Sequence, residues 1–234
     1  MKPLFILPFK KNSSRLLNKN FLDLCGKPLY QWSLEQTQEA SKQYPGSKII
    51  VATDALEEVL ISSFKHTYDN NVELVKLPEW LAQEPYQLAS ATLFVINDLF
   101  NRDVKADFDY LVMVQVTNPL ILAEDIINCI ELYKNNKRSI RSFTEVDRIW
   151  IQSKTISGFY CRPYSNNKPF DFLIQSCIGV LVEDINNLRN QTVRFAAFDC
   201  YPRSYMLPKE RAVDIDNEMD FEYAKILLKR REKL

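Results

Sequence analysis

Short apolar runs alternate with longer amphipathic stretches through the first half of the chain. Leu4–Phe9, Lys48–Ala52, Val72–Lys76 and Tyr110–Gln115 have strand length and end at polar or turn residues. Such runs mark strands buried on both faces. Between them, Pro28–Lys42, Ala55–Lys65, Gln87–Phe100 and Glu124–Tyr133 carry apolar residues at helical spacing. Leu29, Trp32, Leu34 and Ala40 mark the first helix; Leu88, Ala91, Phe94, Val95 and Leu99 form one stripe on the third. Strand–helix alternation predicts an α/β fold of three layers, with a mainly parallel sheet covered on both faces.

The second half is less regular. Ser139–Thr144, Ile149–Ile151, Cys177–Val182 and Val193–Phe198 read as extended. Ser157–Pro169, rich in Tyr, Asn, Ser and Pro, reads as a loop or an arm. Glu218–Arg231 reads as a helix, with Phe221, Ala224, Ile226, Leu227 and Leu228 apolar and Asn217 as its cap. No repeat or linker divides the chain, which predicts one domain over residues 1–234.

Ligands of such sheets bind beyond the carboxyl ends of the strands. Three polar segments fall there. Lys10–Asn20 holds Lys10, Lys11, Arg15 and Lys19 with Ser13 and Ser14 between them, a composition suited to polyphosphate or to a solvated surface loop. It is not a Walker A loop. Thr53-Asp54 puts a hydroxyl and a carboxylate at a strand end, or caps the next helix. Gln115–Asn118 places amides where a base or sugar hydroxyl can be read, or forms a polar turn before Pro119.

A fourth segment lies near the C-terminus. In extended chain, Asp214 and Asp216 point to one side. Two hard carboxylates suit Mg²⁺, which keeps waters and bridges to phosphates. Glu218 and Asp220 fit an acidic helix start.

Composition narrows the classes. Thirty basic residues balance thirty acidic ones, so no charge excess points to nucleic acid. No window is apolar enough to span a bilayer. The apolar start is too short for a signal peptide and is cut by Lys10 and Lys11, which predicts a cytoplasmic protein. Five scattered cysteines read as buried thiols in a reducing compartment. The lone His66 supplies neither a zinc site nor a Ser-His-Asp triad.

In this order the segments resemble the CMP-sugar synthetases, the cytidylyltransferases for sialic, pseudaminic, legionaminic and 3-deoxy-manno-octulosonic acids. The similarity runs nearly end to end and is weakest over residues 140–175. Pro8, Ser13, Leu16, Lys19 and Asn20 match the first motif, and Arg15 matches a variant of it. Gly26-Lys27-Pro28-Leu29, Ala52-Thr53-Asp54, Pro78–Glu84, Gln115–Leu120, Tyr205-Met206 and Val213–Asp216 follow in family order. The chain departs from the family at a glycine-free loop, at Lys10 for Arg, Ser14 for Lys, Leu77 and Ile121 for Arg, and Cys177–Leu181 for Asn-Gly-Ala-Ile-Tyr.

The resemblance implies a Rossmann-like nucleotidyltransferase fold. It implies attack of an acidic α-keto sugar's anomeric hydroxyl on the α-phosphorus of CTP, with loss of pyrophosphate. Lys10, Arg15 and Lys19 would serve the phosphates. Pro8, Ser13, Asn20, Thr53 and Asp54 would bind nucleotide, Gln115 the substrate, and Asp214 and Asp216 a Mg²⁺ ion. It also implies a homodimer, with residues 140–175 as the arm. The departures leave open a catalytically silent relative that binds nucleotide or a partner, or a transferase of the same fold that uses a sugar phosphate.

Overall fold

Strand β1, Pro3–Phe9, is buried throughout and sorts its side chains by parity. Phe5, Leu7 and Phe9 join one apolar cluster with Tyr30, Leu34, Ile126 and Ile130, while Leu4 and Ile6 join another with Ala91, Val95 and Leu99. A period of two on a strand covered from both sides produces this division. The computed structural model describes residues 1–63, 69–83, 88–102, 107–146, 150–155, 158–163, 173–186 and 203–231.

The other strands are β2 (Lys48–Thr53), β3 (Val72–Lys76), β4 (Tyr110–Val114), β5 (Ile140–Val146), β6 (Trp150–Thr155), β7 (Gly158–Pro163), β8 (Leu173–Asp184) and β9 (Arg203–Leu207). The helices are α1 (Leu29–Ser41), α2 (Leu56–Ser63), α3 (Glu79–Ala82), α4 (Leu88–Arg102), α5 (Ala123–Asn136) and α6 (Glu218–Arg231). Seven strands form one sheet in the order β3-β2-β1-β4-β8-β5-β9. Within this sheet, among the described residues, only the β4–β8 and β8–β5 pairings are antiparallel. Helices α1 and α5 pack on one face and α4 on the other, giving three layers. Among the described residues no helix is long and apolar enough to cross a membrane.

The ladder breaks beside β1. This strand pairs with β2 as far as Phe9↔Thr53, but with β4 only as far as Ile6↔Met113. Beyond that point Pro8 has no N–H to extend a ladder. Gln115, just past β4, donates its N–H to Gly179 O of β8 at 2.9 Å. The sheet therefore parts between the carboxyl ends of β1 and β4.

Some expectations shift. Ser157–Pro169 is not wholly loop: Phe159 and Tyr160, good strand formers, lie in β7, which pairs with β6 as a separate two-stranded ladder. β5 and the start of β8, also within 140–175, belong to the main sheet. β8 outruns Cys177–Val182 because it pairs with both β4 and β5. Val193–Phe198 lies outside the described residues. The pattern does not anticipate α3, a single turn too short for periodicity to register, or the edge strand β9. Ile226 is exposed on α6, not buried with Phe221, Ala224 and Leu228. Cys129 is a buried free thiol, but Cys25 is only half-buried.

Gly179 makes the close packing behind the parting possible. A Cβ there would meet Ile121 Cδ1 at 2.3 Å and Asn118 Cβ at 3.4 Å. Gly179→Ala is expected to cost about 1–3 kcal/mol, read as a fall in Tm. Ile121→Val removes the colliding methyl, so the double variant should melt above Gly179→Ala alone. An unchanged Tm in the single variant would show that β8 and the segment holding Ile121 have room to give.

Candidate functional site

The parting of β1 and β4 opens a cleft of about 420 Å³. Pro8, Lys10, Ser13, Arg15, Lys19 and Asn20 line one side, Gln115, Val116 and Thr117 the other, and Asp216 closes it. Phe9, Ser14 and Leu88 complete the lining.

The cationic loop after β1 is tied at its base. Asn20, almost fully buried, donates Nδ2 to Lys10 O at 2.7 Å. Lys11 N–H donates to Asp54 Oδ1 at 2.7 Å, and the Lys11 ammonium pairs with Glu58 of α2. That pairing holds the Glu58 carboxyl below its ordinary range. With no glycine in the loop, Asn18 takes the left-handed conformation, φ 52°. Asparagine accepts this conformation more readily than most residues.

The acidic side is set by the closing segment. Ile215 is fully buried in a cluster with Leu24, Trp32, Leu120, Phe221 and Leu228, so its two flanking aspartates turn outward. Its N–H donates to Thr117 O at 2.9 Å, and Asn118 Nδ2 donates to Val213 O at 3.1 Å. Just beyond, Asn217 Oδ1 accepts the Asp220 N–H, while Asp220 Oδ2 accepts the N–H groups of Asn217 and Asp216. This reciprocal cap starts α6 and fixes the backbone at Asp216.

Loop and closing segment meet through charge. Arg15 Nη1 donates to Asp216 Oδ2 at 2.7 Å, and Lys19 Nζ to Asp216 Oδ1 at 3.2 Å and Ile215 O at 2.5 Å. Arg15 is 68% exposed, so its pair is worth about 0–1 kcal/mol; Lys19, at 11%, is held more firmly. Asp214 retains exposed surface, yet atoms crowd its carboxyl and push its pKa above the ordinary value. The nearby Thr117 hydroxyl pulls the other way, and the Asp216 charge adds to the rise. Thr117 itself is buried, and its Oγ1 has no protein partner of full hydrogen-bond geometry.

Most of the expected site residues thus line one cleft. Three do not. Thr53 is buried and its Oγ1 accepts the Ala55 N–H at 3.1 Å. Asp54 holds the loop from behind through Lys11. Asp214 stands beside the lining, next to Asp216. Thr117 reads in the sequence only as part of a polar turn; its position two residues after Gln115 is the available signal. Leu88 comes from the start of α4, and only tertiary structure brings it to the cleft.

Among the described residues no group of three or more acidic, His or Cys side chains is placed to hold a metal. Asp214 and Asp216 offer hard oxygens alone. The crowded charge at Asp214 is of the kind a divalent cation relieves, with water and phosphate oxygens completing its shell. The pair fits Mg²⁺ on those terms.

The cytidylyltransferase family model matches residues 4–73. The chain is 26% identical to the N-acylneuraminate cytidylyltransferase of Escherichia coli, over 95% of this chain and 51% of that protein. It therefore spans about half the length of that relative. It is 28% identical to the CMP-N,N'-diacetyllegionaminic acid synthase of Legionella pneumophila, over 70% of this chain and 67% of that one. A solved CMP:2-keto-3-deoxy-manno-octonic acid synthetase complexed with CTP superposes with a TM-score of 0.67 at 14% identity, covering 99% of this chain and 100% of that one.

The raised pKa of Asp214 fixes the sign of a test. Its native pKa lies above its unfolded value of about 3.9, so ionisation opposes folding. The penalty is absent below about pH 4 and grows as pH rises through the native pKa. Asp214→Asn should therefore melt above wild type at neutral pH, with the difference closing in acid. A difference in Tm that does not change with pH would exclude this origin.

Proposed function

We propose that the chain is a cytidylyltransferase, a reading its likeness to that family over residues 4–73 and to two CMP-sugar-forming enzymes supports, and that it transfers CMP from CTP to the anomeric hydroxyl of an acidic α-keto sugar and releases pyrophosphate. The observation that carries this reading is the cleft itself: at the parting of β1 and β4, Lys10, Arg15 and Lys19 share one lining with Asp216, and Arg15 and Lys19 bond to it. The sugar is a sialic, pseudaminic, legionaminic or related acid.

The geometry supports specific roles. The triphosphate lies along the loop, where Lys10, Arg15 and Lys19 neutralise its charge and the charge that builds on departing pyrophosphate. Ser13 and Asn20 add hydrogen bonds from the same loop. Pro8 leaves an open edge beside the nucleotide because it offers no N–H to a ladder. Gln115, which both donates and accepts, orients the acceptor. Thr53 and Asp54 act from behind, Asp54 by holding the loop through Lys11. Asp214 and Asp216 would hold Mg²⁺, which would polarise the phosphoryl oxygens. Arg15 and Lys19, bonded to Asp216 in the absence of ligand, would turn to the phosphates and leave that carboxylate available to a cation. The same reading carries a homodimer, in which the separate β6–β7 ladder contacts the second copy.

Purified protein with CTP and Mg²⁺ should release pyrophosphate only when the right acid is added, so sialic, pseudaminic, legionaminic and octulosonic acids form the screen. Mass spectrometry should find cytidine and the sugar acid joined through a single phosphate as a phosphodiester. A diphosphate-linked product, formed from a sugar phosphate, would replace this reading. Asp216→Asn is expected to lower kcat by about 10²-fold or more with an unchanged circular dichroism spectrum; wild-type turnover in that variant would remove the metal assignment.

A further inference from the structure

Asp125, in the first turn of α5, is a carboxylate with no task in the nucleotidyl-transfer scheme. None of its surface is exposed, and a buried charge is costly unless paired. One oxygen has a local role: Oδ2 accepts the Leu122 N–H at 3.0 Å and caps α5. A neutral amide oxygen at this third helical position would serve the capping box as well. The other oxygen looks away from the helix. Oδ1 accepts the Tyr205 hydroxyl and Arg211 Nη2, each at 2.9 Å. Asn128 donates to the same tyrosine oxygen at 3.2 Å, and Glu124 stands 3.3 Å from Arg211 Nη2.

Tyr205 lies in β9, and Arg211 ends the 3-10 turn Lys209–Arg211 that leads into Asp214-Ile215-Asp216. We propose that Asp125 is a positioning residue for the Asp214/Asp216 pair, acting through Arg211; the inference rests on the nucleotidyl-transfer reading. Thr117 O and Asn118 Nδ2 hold the segment at Ile215 and Val213. Those bonds fix the backbone at its middle, downstream of the 3-10 turn. The Arg211–Asp125 bond fixes the entry. All three holds come from residues 117–125, the stretch joining β4 to α5, so one short platform locates both carboxylates against the cationic loop. This gives the buried charge a reason that capping does not supply.

The test compares wild type with Asp125→Asn, which keeps the shape of the side chain and a capping oxygen. Hydrogen exchange should quicken in peptides covering residues 209–217 while those from β1, β2 and β4 stay at wild-type rates. Mn²⁺ titrated in the presence of CTP and followed by electron paramagnetic resonance should bind about 10-fold or more weakly, a change that a loss of general stability would not produce. Wild-type exchange over 209–217, or equal quickening across the core strands, would overturn the proposal. If Asp125→Asn does not fold, Arg211→Lys, which keeps charge but loses the fork, is judged by the same outcomes. Failure of wild type itself to bind Mn²⁺ with CTP would remove the metal assignment, and exchange over 209–217 would still decide the role of Asp125.

Discussion

The site depends on β1 and β4 separating after Ile6 and Met113. Two parallel strands in register leave no space at their ends; these two diverge because Pro8 cannot donate and because Gln115 turns to Gly179 of β8. The backbone after β1 is then free to form the cationic loop, and the backbone after β4 is free to receive the closing segment. Every residue assigned to substrate or metal lies on one of these two edges, or is held there by something that does.

The two edges are stabilised differently. The loop is fixed by polar ties from behind, Asn20 to Lys10 and Asp54 to Lys11. The acidic segment is fixed by burial of Ile215 and by backbone bonds to Thr117 and Asn118. Apolar burial of one residue between two aspartates turns a weak sequence pattern into a defined pair of carboxylates. The cap on α6 adds to this by holding the Asp216 N–H. Charge then joins the edges across the cleft, but the exposed Arg15 contact adds little to stability.

Much of this is legible in the residues. Largely apolar runs mark β1, β2 and β4, since burial on both faces leaves few polar positions in the strand. Asp214 and Asp216 are legible from their spacing, and Lys10, Arg15 and Lys19 from their density after a strand. Thr53 and Asp54 sit at a strand end as expected, but side-chain direction decides whether a strand-end residue faces the ligand or the neighbouring helix. Asp125 and Arg211 are far apart in sequence and each resembles an ordinary surface charge; only the approach of β9 to α5 makes them partners. β7 and β9 escape notice because short strands take their stability from pairing, which composition does not encode.

The pairing of Asp216 with Arg15 and Lys19 has a consequence for selectivity. The cleft at rest is not a bare positive hole, because its cations already face a carboxylate. A simple anion that drew them away would strand Asp216 without a counter-charge, beside an Asp214 that already resists ionisation. A ligand that arrives with its own divalent cation satisfies both sides at once. On the proposed nucleotidyl-transfer reading, inorganic phosphate and sulfate would be disfavoured by what they fail to bring, before any base or sugar is read.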